Sequence, residues 1–444
     1  MIIVQHGRPR IDRRGFLRAV AGASAAAASG PLLAACGSGG GGGGGDVIRL
    51  GYVSPETGPL SPFGEADQFV IQAAREHFAR NPIVVAGRPH RVEIIKRDSQ
   101  SSPQRAGDVA ADLVRNGGIH MMLVSSTPET TNPVSDQCEA GGMPCVATVV
   151  PWQSWFFARG GQLGKPFKWT HLFFFGLEDF ENVHVDMWDM IATNKVVGGL
   201  FPADPDGLSW GNPSTGFPDY MAKRGYRSVD PGAYAIGSQD FTPHINRFKT
   251  ERAEIIVGVP TPADFATFWR QAARQEFRPK LVTISKAIEY PTAVEALGPA
   301  LADKLCTALW WSPRHPYKSS LTGQTAQEFG DSYTATTGKQ WTMPLGFAHT
   351  LMEVAAKAFS VVSDPADRAG LARAITTMQV NSVVGPLDFT KGPIPGVAKA
   401  PLVGAQWRYA PGDRFPFELR VVNNRRAPDI PTEAPLVPMT SAAE

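Results

Sequence analysis

The chain has 444 residues, more than one core of ordinary size accommodates, so two lobes are expected. Its 43 Lys and Arg face 41 Asp and Glu with no long run of either sign, and that balance excludes the electrostatic footprint of a nucleic-acid binder. Apolar residues make up 43%, as in an ordinary globular protein, which excludes a disordered or small disulfide-stapled chain.

Arg13-Arg14-Gly15-Phe16-Leu17-Arg18 precedes an alanine-rich stretch from Ala19 to Ala35, the layout of a twin-arginine export signal; a short basic helix is the alternative. Leu33-Ala34-Ala35-Cys36 then resembles a lipobox. Residues 1–35 are therefore expected to be a signal peptide and Cys36 to carry a diacylglyceryl anchor, two chains being enough for stable membrane attachment. Residues 36–45, with Gly39 to Gly45 in one run, cannot bury apolar surface and read as a tether. No strand precedes that run, so its GxGxxG spacing does not mark a dinucleotide site. Beyond Cys36 no stretch offers the 18 or more consecutive apolar residues of a spanning helix.

From residue 46 the pattern alternates. A strand from Val47 to Val53 is followed by a helix over 64–80, a strand from Arg91 to Arg97, and a helix opened by Ser102-Pro103 and closed by Gly117. A strand from Ile119 to Val124, a helix from Asn132 to Glu139 and a strand from Cys145 to Val150 complete three repeats, which predicts a parallel sheet flanked by helices. A second series follows: strands at Lys195–Phe201, Ala233–Ala235, Glu254–Val259 and Lys280–Ile284, with helices at Gly216–Lys223, Phe241–Arg252 and Pro262–Glu276 between them. Helices are expected again at Leu345–Phe359 and Asp367–Thr377, then a turn and strand at Gly385–Phe389, then a Pro- and Ala-rich tail. The fold class is α/β, and ligands of such sheets bind outside the carboxyl ends of the strands.

The stretch Gly51-Tyr52-Val53-Ser54-Pro55-Glu56-Thr57-Gly58-Pro59-Leu60-Ser61-Pro62-Phe63-Gly64 resembles the opening of the branched-chain-amino-acid-type periplasmic binding proteins of ABC importers. Ile95 to Ala110, Ser135 to Val146, Gln239-Asp240-Phe241 and Val383 to Thr390 continue the likeness in order, from about residue 46 to 425. The resemblance implies two Rossmann-like lobes joined by three hinge crossings, closing over a small solute without catalysis or cofactor. It places 46–172 with 312–362 in the first lobe, 173–311 with 363–425 in the second, and leaves 426–444 as a frayed tail. The partners it implies are an ABC permease and ATPase, with the body a monomer anchored outside the cytoplasm.

Under that resemblance Phe63 is a pocket wall, Ser126 and Thr127 bind a ligand carboxylate at a helix N-terminus, and Thr148 adds a hydroxyl from the next loop. A plain helix cap and simple core burial are the alternatives. Trp152, Trp210 and Trp311 fall near the expected cleft and suit a flat solute, or pack the hinge; Trp155 and Trp310 share the same neighbourhoods. Thr261 is a further candidate hydroxyl. Where the amino-acid-binding relatives hold the ligand ammonium with an acidic residue, Thr283-Ile284-Ser285-Lys286-Ala287 places a lysine. The expected solute is therefore carboxylate-bearing, aromatic in character and without an α-amino group. Glu289 would instead serve an ammonium if the register slips by three, and a solvated or hinge lysine is the third reading.

The remaining cysteines are Cys138, Cys145 and Cys306; a Cys138–Cys145 disulfide stays open, and no CxxC, HxxxH or HExxH spacing suggests a metal. The competing classes are an amino-acid binder, a sensor subunit and an exported enzyme. A hydrolase of the α/β kind wants Gly-x-Ser-x-Gly after a strand, and none is expected in the mature chain. The acidic pairs Glu178-Asp179 and Asp186-Asp189 read as a solvated helix face.

Overall fold

The computed structural model describes residues 47–439. The export signal, Cys36 and the glycine tether lie outside the described residues. The described residues form one compact unit built on two seven-stranded sheets.

The first sheet runs, edge to edge, Val397–Lys399, Thr170–Phe174, Cys145–Thr148, Met121–Ser125, Val47–Ser54, Arg88–Asp98 and Ile83–Val85. Its pairings are parallel except the last, a hairpin. Met121–Ser125 and Cys145–Thr148 are buried at every position, because helices cover both faces of a parallel sheet. The second sheet runs Phe417–Asn423, Val403–Tyr409, Cys306–Leu309, Leu281–Ile284, Ile255–Gly258, Val196–Leu200 and Arg227–Val229. It is parallel apart from the hairpin Val403–Tyr409 and Phe417–Asn423 on one edge. The chain crosses between the sheets after Phe174, after Leu309 and after Lys399. At these crossings Phe174, Trp310 and Phe347 pack edge to face, with centroids 5.1 to 5.4 Å apart.

Local signals explain most boundaries. Ser102 accepts from the Arg105 N–H with Pro103 behind it, and Gly117 follows the end of Pro103–Asn116. The helix expected from Asn132 begins four residues earlier, at Pro128, and carries Pro133 within it. The expected strand at Ala233–Ala235 is a single bridge from Tyr234 to Pro202, and the edge strand is Arg227–Val229. The strand Thr170–Phe174 has no counterpart among the expected elements, and the helix Leu177–Trp188 is anticipated only through its acidic pairs.

Three expectations are corrected. Residues 363–399 do not belong with the second lobe: Arg368–Thr376 packs on the helix Pro344–Ser360 and on Thr170–Phe174, and Val397–Lys399 pairs with that same strand. The tail does not fray before residue 439, since Ile430 is fully buried, Gln406 exchanges hydrogen bonds with Val437, and the Met439 N–H donates to Lys280. The acidic face of Leu177–Trp188 is not simply solvated. Asp186 is fully buried and meets Arg426 at 2.6 Å, with Arg425 and Arg224 at 3.5 and 3.7 Å, while Lys399 pairs with Glu178 and Asp179. Cys138 and Cys145 are free, buried thiols, as is Cys306.

Buried titratable groups set a pH profile. Burial pushes the carboxyls of Asp67 and Glu289 up to about 7 and those of Glu181 and Asp206 up to about 8. It lowers His171 to about 4 and His184 and His315 to about 3. A carboxyl raised on folding favours the native state below its unfolded value near 4 and loses that advantage as pH rises through 7 to 8. A depressed histidine acts oppositely, its contribution complete above about 6.5 and lost as pH falls toward 3 to 4. Between about pH 6.5 and 8 only the carboxyls change, so stability should fall as pH rises through that window, by up to about 1.4 kcal/mol per pH unit for each proton released on unfolding, and melting temperature with it. Scanning calorimetry at pH 6, 7 and 8 checks the sign, and a rising melting temperature would refute it.

Candidate functional site

The loops at the carboxyl ends of both sheets meet in one cleft. Phe63, Thr127, Val149, Pro151 and Phe174 line it from the first lobe, and Phe180, Asp206, Trp210, Val259, Ser285, Lys286 and Glu289 from the second, with Trp310 at a crossing. The walls are close together: Phe63 meets Tyr290 edge to face at 5.1 Å, and the space left is about 30 Å³, room for little more than one water.

Two non-glycine residues with left-handed backbone line it, Val149 (φ 65°) after Cys145–Thr148 and Lys286 (φ 66°) after Leu281–Ile284. Such backbone costs on the order of 1–3 kcal/mol, and it concentrates at ligand clamps and active sites. At Lys286 it aims the side chain across the cleft. The Lys286 Nζ lies 2.8 Å from Glu129 of the first lobe, and 3.1 and 3.3 Å from Asp204 and Asp206 of its own lobe. Sequence places these carboxylates simply: Thr127-Pro128-Glu129 opens the helix Pro128–Ala140, and Asp204-Pro205-Asp206 opens Pro205–Trp210, with Asp204 accepting from the Gly207 N–H at 2.7 Å.

Burial opposes the charge on Lys286, yet Glu129, Asp206 and Asp204 outweigh it and hold the ammonium well above its usual range. Burial likewise opposes the Glu129 carboxylate, but Lys286 keeps it below the usual range. Asp204 is raised, burial outweighing Lys286, and Asp206 more strongly so. Unpaired acceptors and unpaired donors both remain in the cleft. Asp206 Oδ1, Trp210 Nε1 and Ser285 Oγ are buried without a hydrogen-bond partner.

Of the residues singled out by sequence, Phe63, Thr127, Trp210, Lys286, Glu289 and Trp310 line the cleft. The others are occupied elsewhere. Ser126 Oγ accepts from Thr130, the Thr148 hydroxyl donates to the Phe173 carbonyl, and Trp152 Nε1 donates to Glu178. Trp311 turns into the first lobe beside Phe329 and Trp341 and donates to the Val383 carbonyl, leaving Trp310 at the cleft. The Thr261 hydroxyl caps its own helix by accepting from Asp264. Lys286 is not a free anion-binding group, because three carboxylates of the chain already surround it. Glu129, Asp204 and Asp206 went unread because nothing local in a Pro-led cap announces a partner more than 75 residues away. Gly207-Leu208-Ser209-Trp210-Gly211 does carry the Gly-x-Ser-x-Gly spacing, but Ser209 sits in the last turn of Pro205–Trp210, not on a strand-to-helix elbow.

A family model described as periplasmic binding protein matches residues 47–409, and the chain belongs to that family. Its fold is that of the type I members. A leucine-binding protein from Thermotoga maritima superposes with a TM-score of 0.68 at 17% identity, covering 85% of this chain and 99% of that one. A branched-chain amino acid transporter substrate-binding protein from Streptococcus pneumoniae, solved with isoleucine, gives 0.65 at 16% identity, covering 85% and 100%. An ABC-transporter solute-binding protein from Rhodopseudomonas palustris, solved with 3,4-dihydroxybenzoic acid, gives 0.65 at 17%, covering 83% and 94%. No curated protein matches the chain. The family places the body outside the cytoplasm, and among the described residues no helix is long and apolar enough to cross a membrane.

Proposed function

We propose that this chain is the solute-capturing component of an ABC importer, exported through its paired arginines, anchored by a lipid on Cys36 and delivering its cargo to a permease and ATPase. It works as a monomer and without catalysis. The observation that carries the reading is the cleft itself, where strained loops from two separately built lobes meet around buried polar atoms that lack partners. A solute enters as the walls part about the three crossings, and closure then buries it.

Phe63, Phe174, Phe180, Trp210 and Trp310 supply rings on both sides, which suits a flat or aromatic solute. The same fold accommodates an aromatic ring in the Rhodopseudomonas palustris protein. The carboxylate expected from Lys286 alone is replaced in this reading, since Glu129 already takes that place.

The test is thermal denaturation of the purified full chain with amino acids, aromatic acids, aromatic amines, sugars and polyols. One class should stabilise it by about 2.7 kcal/mol at 100 times its dissociation constant. Unchanged melting with every class, or chemical conversion of a bound solute, would contradict the reading.

A further inference from the structure

We propose that the solute carries a positive charge and no free carboxylate, an amine or amidine on a flat body, and that Asp206 receives that charge. The inference rests on the solute-binding reading above and names the chemical class of its ligand.

The two features that would attract an anion are already used. The first turn of Pro128–Ala140 holds Glu129, and the Glu129 carboxylate meets Lys286 at 2.8 Å. Among the described residues lining the cleft, Lys286 is the sole Lys or Arg, whereas Asp206 and Glu289 line it too and Asp204 and Glu129 flank it. An anion would oppose the ionisation of Asp204, Asp206 and Glu289, which Lys286, paired with Glu129, does not balance; a cation favours it. A second observation points to a donor on the ligand at Asp206, while the unpartnered Trp210 Nε1 suits a neutral acceptor on the same body. Asp206 is 4% exposed and lines the cleft, its Oδ2 faces Lys286, and its Oδ1 has no partner. The Trp210 and Phe180 rings, 4.9 Å apart, stand in the same wall and suit the face of a cation-bearing ring.

Burial pushes the Asp206 carboxyl up to about 8, against the pull of Lys286 and with Glu129 and Asp204 adding to the rise. A bound cation would displace its proton into solvent, so affinity for the cation should rise between pH 6 and 8, by up to about tenfold per pH unit.

The experiment is calorimetric titration of the full chain with phenethylamine and benzamidine as cations, phenylacetate and benzoate as anions, phenylalanine as zwitterion and benzyl alcohol as neutral probe. A cation should bind saturably, more tightly at pH 8 than at pH 6, and Asp206→Asn should weaken it about tenfold or more. Glu129→Gln should do what no unfolding can mimic, gaining affinity for phenylacetate because Lys286 and the helix N-terminus become available. Anions or the neutral probe binding the unaltered chain at least as tightly as the cations would overturn the proposal while leaving the solute-binding reading intact. Cation affinity unchanged in Asp206→Asn would overturn it too. No saturable binding here, together with no stabilisation by any class in the thermal panel, would overturn both.

Discussion

Replacing Lys286 by methionine should destabilise the chain by about 3–5 kcal/mol at neutral pH, the cost of leaving buried carboxylates without their counter-charge. Glu129, Asp204 and Asp206 converge on its Nζ within 3.3 Å, and the lysine side chain is only 4% accessible. The loss should depend on pH in a definite direction. The ammonium is held above its unfolded value, so its contribution in the native chain is complete below about pH 10 and constant over the working range. In the variant the carboxyls lose the charge that opposes their rise, and protonating them relieves their repulsion. The deficit should therefore be largest near pH 8 and shrink toward pH 5. Denaturant unfolding at both values measures it, and an equal deficit at both would show that lost packing, not lost charge, is responsible.

Truncation after Asn424 should cost a comparable amount, about 3–5 kcal/mol, although the removed segment is rich in proline and looks dispensable in the sequence. Asp186 has no accessible side-chain surface, and truncation removes Arg425 and Arg426, leaving Arg224 at 3.7 Å. The segment also carries away Ile430 from the core, the Glu433 carboxylate that accepts from the Val421 N–H, and the Val437 pairing with Gln406. Asp186→Asn should lose much less in the truncated chain than in the full one, because its arginine partners are already gone. Additive losses would show that the clamp on Asp186 contributes little.

These two cases mark where the sequence is and is not legible. Alternation of strands and helices, the Ser102-Pro103 start and the wall residue Phe63 are local or patterned, and they can be read one segment at a time. The Lys286 cluster joins three places along the chain, and its meaning changes once Glu129 is found opposite: a lone lysine suggests an anionic ligand, a saturated one does not. The strand Thr170–Phe174 is fully buried, a short run without polar alternation that periodicity does not separate from its surroundings. Residues 363–399 lie with the first lobe against the sequence expectation, because a crossing is a property of the assembled sheets. The docking of the tail is not legible because its apolar Ile430 and Val437 stand alone, with no period to mark a packed segment.

Closure of two lobes over a solute is the central claim, and the most direct measurement is the distance between them. Spin labels at exposed Gln104 on the first lobe and Lys223 on the second report it by pulsed electron resonance, in the full chain with and without the solute that raises its melting temperature. The distance distribution should shift and narrow over the same concentration range in which the solute binds, with one solute per chain. A distribution unchanged at saturation would mean that the cleft is not a closing trap.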